Sequence, residues 1–126
     1  MATRFDAIIV GTGHAGPPLA VRQGRGGRER SKAGRKALIA RLPMSGVARA
    51  RERSETDGFM KVLVDPHTQR FLGASMLGIR CDEVVHAIVY RMYARATCQD
   101  VRRAVPIHPC VAELIPTMLK QLEPLE

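Results

Sequence analysis

The residues best suited to do chemistry lie near the C-terminus, in the run Ile107-His108-Pro109-Cys110-Val111-Ala112-Glu113. Pro109 restrains the turn that carries His108, and Glu113 follows five residues after the histidine, at the start of an apolar helix. A carboxylate this close can hold one imidazole nitrogen and leave the other free for proton transfer. The spacing predicts an acid–base pair, although a turn histidine beside a helix-capping carboxylate would have the same spacing.

A second chemical pattern opens the chain. An apolar, β-branched run at residues 5–10 is followed by Gly11-Thr12-Gly13-His14-Ala15-Gly16 and then by a predicted helix. In Gly-x-Gly-x-x-Gly the first two glycines permit a tight turn close to a pyrophosphate, and the third lets the helix pack on the strand. Gly11, Gly13 and Gly16 are therefore candidate dinucleotide-binding residues. No second strand ending in an acid follows, so a strand–turn–helix without a ligand is the alternative.

The strands that must position these residues follow from hydrophobic alternation. Residues 37–42 predict a short strand. Residues 58–65 and 71–79 predict a hairpin around the turn at residues 65–69, with Gly73 and Gly78 marking a kink or a close backbone approach. Residues 43–53 show neither period, and we expect them to be irregular or edge-like.

Helices are predicted after the hairpin. Apolar residues recur at helical spacing from Asp82 to Arg95, and Thr97 is a suitable N-cap for a short helix at residues 98–104. A third helix is predicted from about Val111 to Gln121. Strands followed by helices indicate an α+β fold, an antiparallel sheet with helices packed on one face.

Composition bounds the class of protein. The 126 residues correspond to one domain, or one domain plus a tail. No apolar run is long enough to cross a membrane and no leader pattern opens the chain, so we expect a cytoplasmic protein without a membrane partner. The cysteines are odd in number and lack ligand spacing, which argues against a disulfide framework or a metal site: Cys81, Cys98 and Cys110.

The positive charge is concentrated in one stretch. The net charge is +8, and residues 22–53 hold eleven basic side chains against two acids, which is +9 and leaves −1 elsewhere. Residues 23–35 combine this charge with glycines and are expected to form a flexible linker. An alternative function is a basic binding protein that contacts nucleic acid or anionic surfaces through residues 22–53. Because the stretch has no aromatic residues for base stacking, nucleic acid is not the expected partner.

Three segments precede the His108 motif in a fixed order: Gly58–Asp65, Leu72–Gly78 and Asp82–His86. Together with that motif they resemble the C-terminal dimerisation domain of the FAD-dependent pyridine nucleotide–disulfide oxidoreductases, most closely the mercuric-reductase-like branch. Phe5–Ala20 resembles the FAD-binding start of the same family. The resemblance implies a partial Rossmann start (residues 1–22, vestigial), the basic Gly-rich linker (23–35) and a dimerisation domain (36–126).

The resemblance also implies roles. His108 would be the acid–base group and Glu113 the group that orients it, while Gly11, Gly13 and Gly16 would contact the FAD pyrophosphate. In this family the histidine of one subunit serves the flavin site of its partner, which implies a homodimer. Cys110 stands where the family motif usually has threonine.

Large parts of such an enzyme have no counterpart in the chain: the redox cysteine pair, the rest of the FAD domain and the NAD(P)H domain. We therefore expect an internally truncated member of the family that retains mainly the dimerisation domain and is inactive alone. The parent activity would be NAD(P)H-driven disulfide or Hg(II) reduction. The expected partner is a second copy, or a chain that supplies the missing middle.

Overall fold

The computed structural model describes residues 36–125, in which four strands form one antiparallel sheet in the order β3-β2-β1-β4. The predicted glycine loop with Gly11, Gly13 and Gly16, and the predicted linker, lie outside the described residues. The strands are β1 (Leu38–Pro43), β2 (Phe59–Val64), β3 (Phe71–Leu77) and β4 (Glu123–Pro124). The predicted α+β class and the three longer strands are confirmed, with ends that shift by one or two residues.

The turn between β2 and β3 is closed by Asp65. Its Oδ1 accepts hydrogen bonds from the backbone N–H groups of His67 and Thr68, each at 2.9 Å. These bonds, that from Thr68 first, lower the pKa of Asp65 because they stabilise the charged carboxylate. The turn chemistry predicted at residues 65–69 is confirmed.

The helices are α1 (Ala48–Glu52), α2 (Cys81–Tyr93), α3 (Cys98–Arg102) and α4 (Ile115–Met118). Short 3₁₀ turns lie at Met44–Gly46, Val111–Leu114 and Leu119–Gln121. Helix α2 packs against β3 and begins after Gly78, whose φ of 132° is reserved for glycine. A Cβ there would lie 2.9 Å from the Asp57 carbonyl oxygen, so the predicted close approach at Gly78 is confirmed.

The core lies between one face of the sheet and the helices. Met60, Val62 and Val64 alternate along β2 and are fully buried, which places them on the same face. They join one cluster with the buried residues of α2 and of the C-terminal turns: Val84, Val85, Ile88, Val89, Val111, Ile115, Met118 and Leu119. Cys98 belongs to the same cluster and precedes the segment that carries His108, and Val111 follows it, so both ends of that segment are fixed.

Residues 43–53 were expected to be irregular or edge-like, but beyond Pro43, which ends β1, they are neither. They form a 3₁₀ turn and α1, and Met44, Val47 and Ala50 are completely buried at a spacing of three residues. The three side chains reach the core from different local structures: Met44 from the 3₁₀ turn, Val47 from the extended residue that follows it, and Ala50 from α1. Ser45, Gly46 and Arg49 lie between the three buried positions, so the segment shows no clear apolar period in the sequence.

The predicted third helix is also not continuous. A 3₁₀ turn covers Val111–Leu114, α4 covers Ile115–Met118, and a second 3₁₀ turn follows. Pro116 lies in the first turn of α4 and has no N–H to donate, so an unbroken α-helical ladder cannot pass through it.

Other elements differ from prediction as well. Helix α2 stops at Tyr93, not Arg95, because Arg95 has a left-handed φ of 54°. Strand β4 was not predicted, since two residues are too few to show alternation; it pairs with Leu38 and Ile39 of β1. None of the helices in the described part of the chain has the length and hydropathy to span a bilayer.

Candidate acid–base site

The structure brings the two residues of the C-terminal motif together. Nδ1 of His108 lies 2.8 Å from Oε2 of Glu113. The histidine precedes the 3₁₀ turn Val111–Leu114, and the glutamate lies within it, so one local turn closes the contact. Because a carboxylate can only accept, we infer that Nδ1 carries the shared hydrogen.

Glu113 also caps the turn in which it lies. The same Oε2 accepts the backbone N–H of Cys110 at 3.2 Å, and the side chain is only 10% exposed. The thiol of Cys110 donates to the carbonyl oxygen of Ile107 at 3.1 Å, and the His108–Pro109 peptide is cis. The carboxylate therefore holds both the imidazole and the backbone beside it.

The imidazole itself faces outward, with 74% of the His108 side chain exposed. With Nδ1 engaged by Glu113, Nε2 of the neutral ring has a free lone pair that can take up a proton, and the protonated ring can return it. The arrangement can therefore exchange a proton with a group that approaches from outside the chain.

Arg49 is also a site residue, although the sequence indicates it only as one of the basic residues of the stretch 22–53. Its Nη2 donates to the carbonyl oxygen of Pro109 at 2.9 Å, and its Nη1 lies 3.4 Å from Oε2 of Glu52. Arg49 and Pro109 are 60 residues apart, and no local signal in either segment points to the other.

A cavity of about 700 Å³ adjoins the turn. It is lined at one side by Pro109 and Cys110, and its charged lining combines guanidinium and carboxylate groups: Arg49, Arg53, Arg80, Glu55 and Glu83. The cavity lies on the side of the turn that faces α1 and the start of α2.

Neither of the other two histidines in the described residues is part of the His108–Glu113 contact. The three cysteines are free, and the described residues contain no group of three or more His, Cys, Asp or Glu side chains that could hold a metal ion. His67 lies exposed in the hairpin turn. His86 stacks on Tyr90 along α2, with ring centroids 5.7 Å apart.

One family match covers most of the chain. Residues 23–119 match the family described as pyridine nucleotide-disulphide oxidoreductase, dimerisation domain. The chain belongs to this family. The match begins inside the segment predicted as a linker, so the boundary between linker and dimerisation domain stays a prediction.

Enzymes of this family are several times longer than the chain. It is 31% identical over 90 residues to dihydrolipoamide dehydrogenase of Chaetomium thermophilum, covering 71% of this chain and 18% of that protein. It is 33% identical over 75 residues to the mitochondrial dihydrolipoyl dehydrogenase of Rattus norvegicus, covering 60% and 15%. The chain thus spans less than a fifth of these relatives.

A solved structure shares the fold. The HOCl-induced flavoprotein disulfide reductase RclA from Escherichia coli, in its Cu(II) complex, superposes with a TM-score of 0.70 at 28% identity. The alignment covers 74% of this chain and 21% of RclA. The four-stranded sheet with its helices is therefore the dimerisation-domain fold of this family.

Proposed function

We propose that this chain is the dimerisation-domain portion of an FAD-dependent disulfide oxidoreductase, and that it presents His108 for proton transfer at the flavin site of a partner. The observation that carries the proposal is the His108–Glu113 contact: Nδ1 is held at 2.8 Å while the ring is 74% exposed. An acid–base group that serves another subunit has to combine these two properties, a fixed orientation and an open Nε2.

The flavin itself has no fitting site among the described residues. The sheet of residues 36–125 has only antiparallel pairs, so it contains no βαβ unit of the kind that holds a dinucleotide pyrophosphate. FAD, which supplies the redox chemistry in this family, would be bound elsewhere, by a partner or by a longer form of the protein. Gly11, Gly13 and Gly16 stay proposed pyrophosphate contacts.

The role of this chain's own residues is then limited to proton handling. Glu113 fixes the ring and favours the Nδ1–H form. Nε2 takes the proton from a thiol, or the protonated ring returns it to a thiolate, during disulfide exchange. A homodimer, or a chain that supplies the missing middle, is the proposed partner. Membership of the mercuric-reductase-like branch and internal truncation are part of the same proposal.

A cytoplasmic location is also proposed. Cys81, Cys98 and Cys110 are all free thiols, which suits a reducing compartment.

The acid–base role can be tested in a graft. Residues 36–125 would replace the dimerisation domain of the Chaetomium thermophilum dihydrolipoamide dehydrogenase, to which the chain is 31% identical. Because general acid–base catalysis contributes about 10²- to 10⁴-fold, we expect His108→Gln to lower kcat for dihydrolipoamide oxidation at least about a hundredfold. The measurement is steady-state kinetics at matched FAD content.

The matched control is His67→Gln, which changes an exposed histidine of the hairpin turn in the same graft. It should leave kcat unchanged. A His108→Gln graft that retains FAD and turns over as fast as the His67→Gln graft would show that His108 has no acid–base role.

A further inference from the structure

The peptide unit between Pro109 and Cys110 is held at both of its polar atoms by side chains. Arg49 Nη2 donates to the carbonyl oxygen at 2.9 Å, and Glu113 Oε2 accepts the N–H at 3.2 Å. A peptide unit is planar, so fixing its carbonyl and its N–H fixes the orientation of the whole plane. The oxygen of Glu113 that accepts this N–H is also the one that contacts His108.

The backbone of Arg49 is held in place by buried neighbours. It lies in α1, where the neighbouring Ala50 and the preceding Val47 are completely buried. Its other terminal nitrogen lies 3.4 Å from Glu52, and only 33% of its side chain is exposed. The guanidinium therefore bridges α1 and the turn, and each of its two terminal nitrogens has a partner.

We propose that Arg49 is a positioning residue for the acid–base pair, acting through the Pro109–Cys110 peptide. A guanidinium on the carbonyl oxygen polarises the peptide and strengthens the hydrogen bond that its N–H donates to Glu113. Glu113 is thereby kept where it meets Nδ1 of His108. The inference rests on the proposed function, because it takes His108 to be the proton-transfer group.

The experiment uses the isolated full chain labelled with ¹⁵N at histidine. The readouts are the tautomer of His108 and the exchange of its Nδ1–H with solvent, both measured by NMR. In the wild type we expect the Nδ1–H tautomer and a resolved Nδ1–H resonance. In Arg49→Gln we expect loss of this resonance and a shift toward the Nε2–H tautomer, with partial recovery in Arg49→Lys.

Arg51→Gln is the matched control, because it removes the same charge from the exposed side of α1 without a contact to the turn. It should leave the His108 signals as in the wild type. An Arg49→Gln protein with wild-type tautomer and exchange would overturn the proposal, whatever the graft shows about turnover. Conversely, if His108 proves to have no effect on turnover in the graft, the NMR results expected here stay the same.

A reciprocal measurement covers the case in which Arg49→Gln does not fold. Coupling between two contacts works in both directions, so Glu113→Ala should loosen the Arg49–Pro109 hydrogen bond. With ¹⁵N-arginine labelling, we expect faster exchange of the Arg49 Nη–H groups in Glu113→Ala than in the wild type, and no change at Arg51. Unchanged exchange at Arg49 would overturn the proposal by itself.

Discussion

The three thiols of the chain differ in their surroundings. Cys81 is completely buried at the start of α2, and burial first, with the Asp82 charge second, raises its pKa to about 11. Burial also raises the pKa of Cys98, whose thiol donates to Oε1 of Gln69 at 3.4 Å. Cys110 lies half-buried at the rim of the cavity, in the turn that carries His108.

These surroundings predict a selective reaction with iodoacetamide. At pH 8 a thiol with the raised pKa of Cys81 is about one part in a thousand thiolate, and the thiolate is the reactive form. We expect native Cys110 to be alkylated at least about tenfold faster than Cys81 or Cys98. Peptide mass spectrometry after timed labelling measures the three rates. The control is labelling in urea, where the rates should converge; native Cys81 reacting as fast as Cys110 would contradict the burial described above.

At the scale of elements, the N-terminus of α3 is held by a carboxylate. Asp100 Oδ2 accepts the N–H of Thr97 at 2.9 Å and its hydroxyl at 2.7 Å. The hydroxyl bond first and the backbone bond second lower the pKa of Asp100, because both stabilise the ionised form. The N-cap predicted at Thr97 is thus present, with Asp100 as its reciprocal partner.

This cap predicts an acid-dependent loss of stability. Since the pKa of Asp100 is lower in the folded chain than the ordinary 3.8, the unfolded chain binds more protons between the two values. The contribution is complete above about pH 5 and is lost as the pH falls through the folded value. We expect Asp100→Asn to lower Tm at pH 6, and this deficit to shrink as the pH falls toward 3, by circular dichroism.

Asp57→Asn is the control for this comparison, because Asp57 is exposed and its carboxylate makes no hydrogen bond within residues 36–125. It should shift Tm little at either pH. A deficit of Asp100→Asn that is equally large at pH 3 and pH 6 would mean that the carboxylate charge is not what stabilises α3.

At the scale of the whole molecule, helix α2 presents an aromatic stripe to the outside. Tyr90 is 68% exposed, Tyr93 is 71% exposed, and His86 stacks on Tyr90 one turn earlier. The opposite side of α2 is buried in the core through Val84, Val85, Ile88 and Val89. Large exposed aromatics on a rigid helix are typical of surfaces that associate.

The family relationship and this stripe predict self-association through α2. Light scattering coupled to size exclusion should give twice the 13.9 kDa of one chain. Because aromatic side chains dominate the energy of such interfaces, the double change Tyr90→Ala and Tyr93→Ala should shift the protein to monomer. Arg91→Ala, on an adjacent side of the same helix, should stay dimeric. A wild-type monomer at every concentration would contradict the proposed homodimer.

The sequence by itself determined what depends on short separations along the chain. Alternation and helical spacing predicted three strands, the hairpin turn and α2. A separation of only five residues was enough to anticipate the His108–Glu113 contact. Order and spacing of the same segments also indicated the family. Local sterics and hydrogen bonding act within a turn or a strand, so they leave a pattern that can be recognised.

Only the tertiary structure decided what connects distant segments. The core position of Met44, Val47 and Ala50, the pairing of β4 with β1, and the Arg49–Pro109 hydrogen bond all join parts of the chain that no local period relates. Which arginine of a basic stretch meets a given carbonyl 60 residues away depends on sheet register and on how α1 packs against the core. These are properties of the assembled fold, and the surroundings of His108 are set by them.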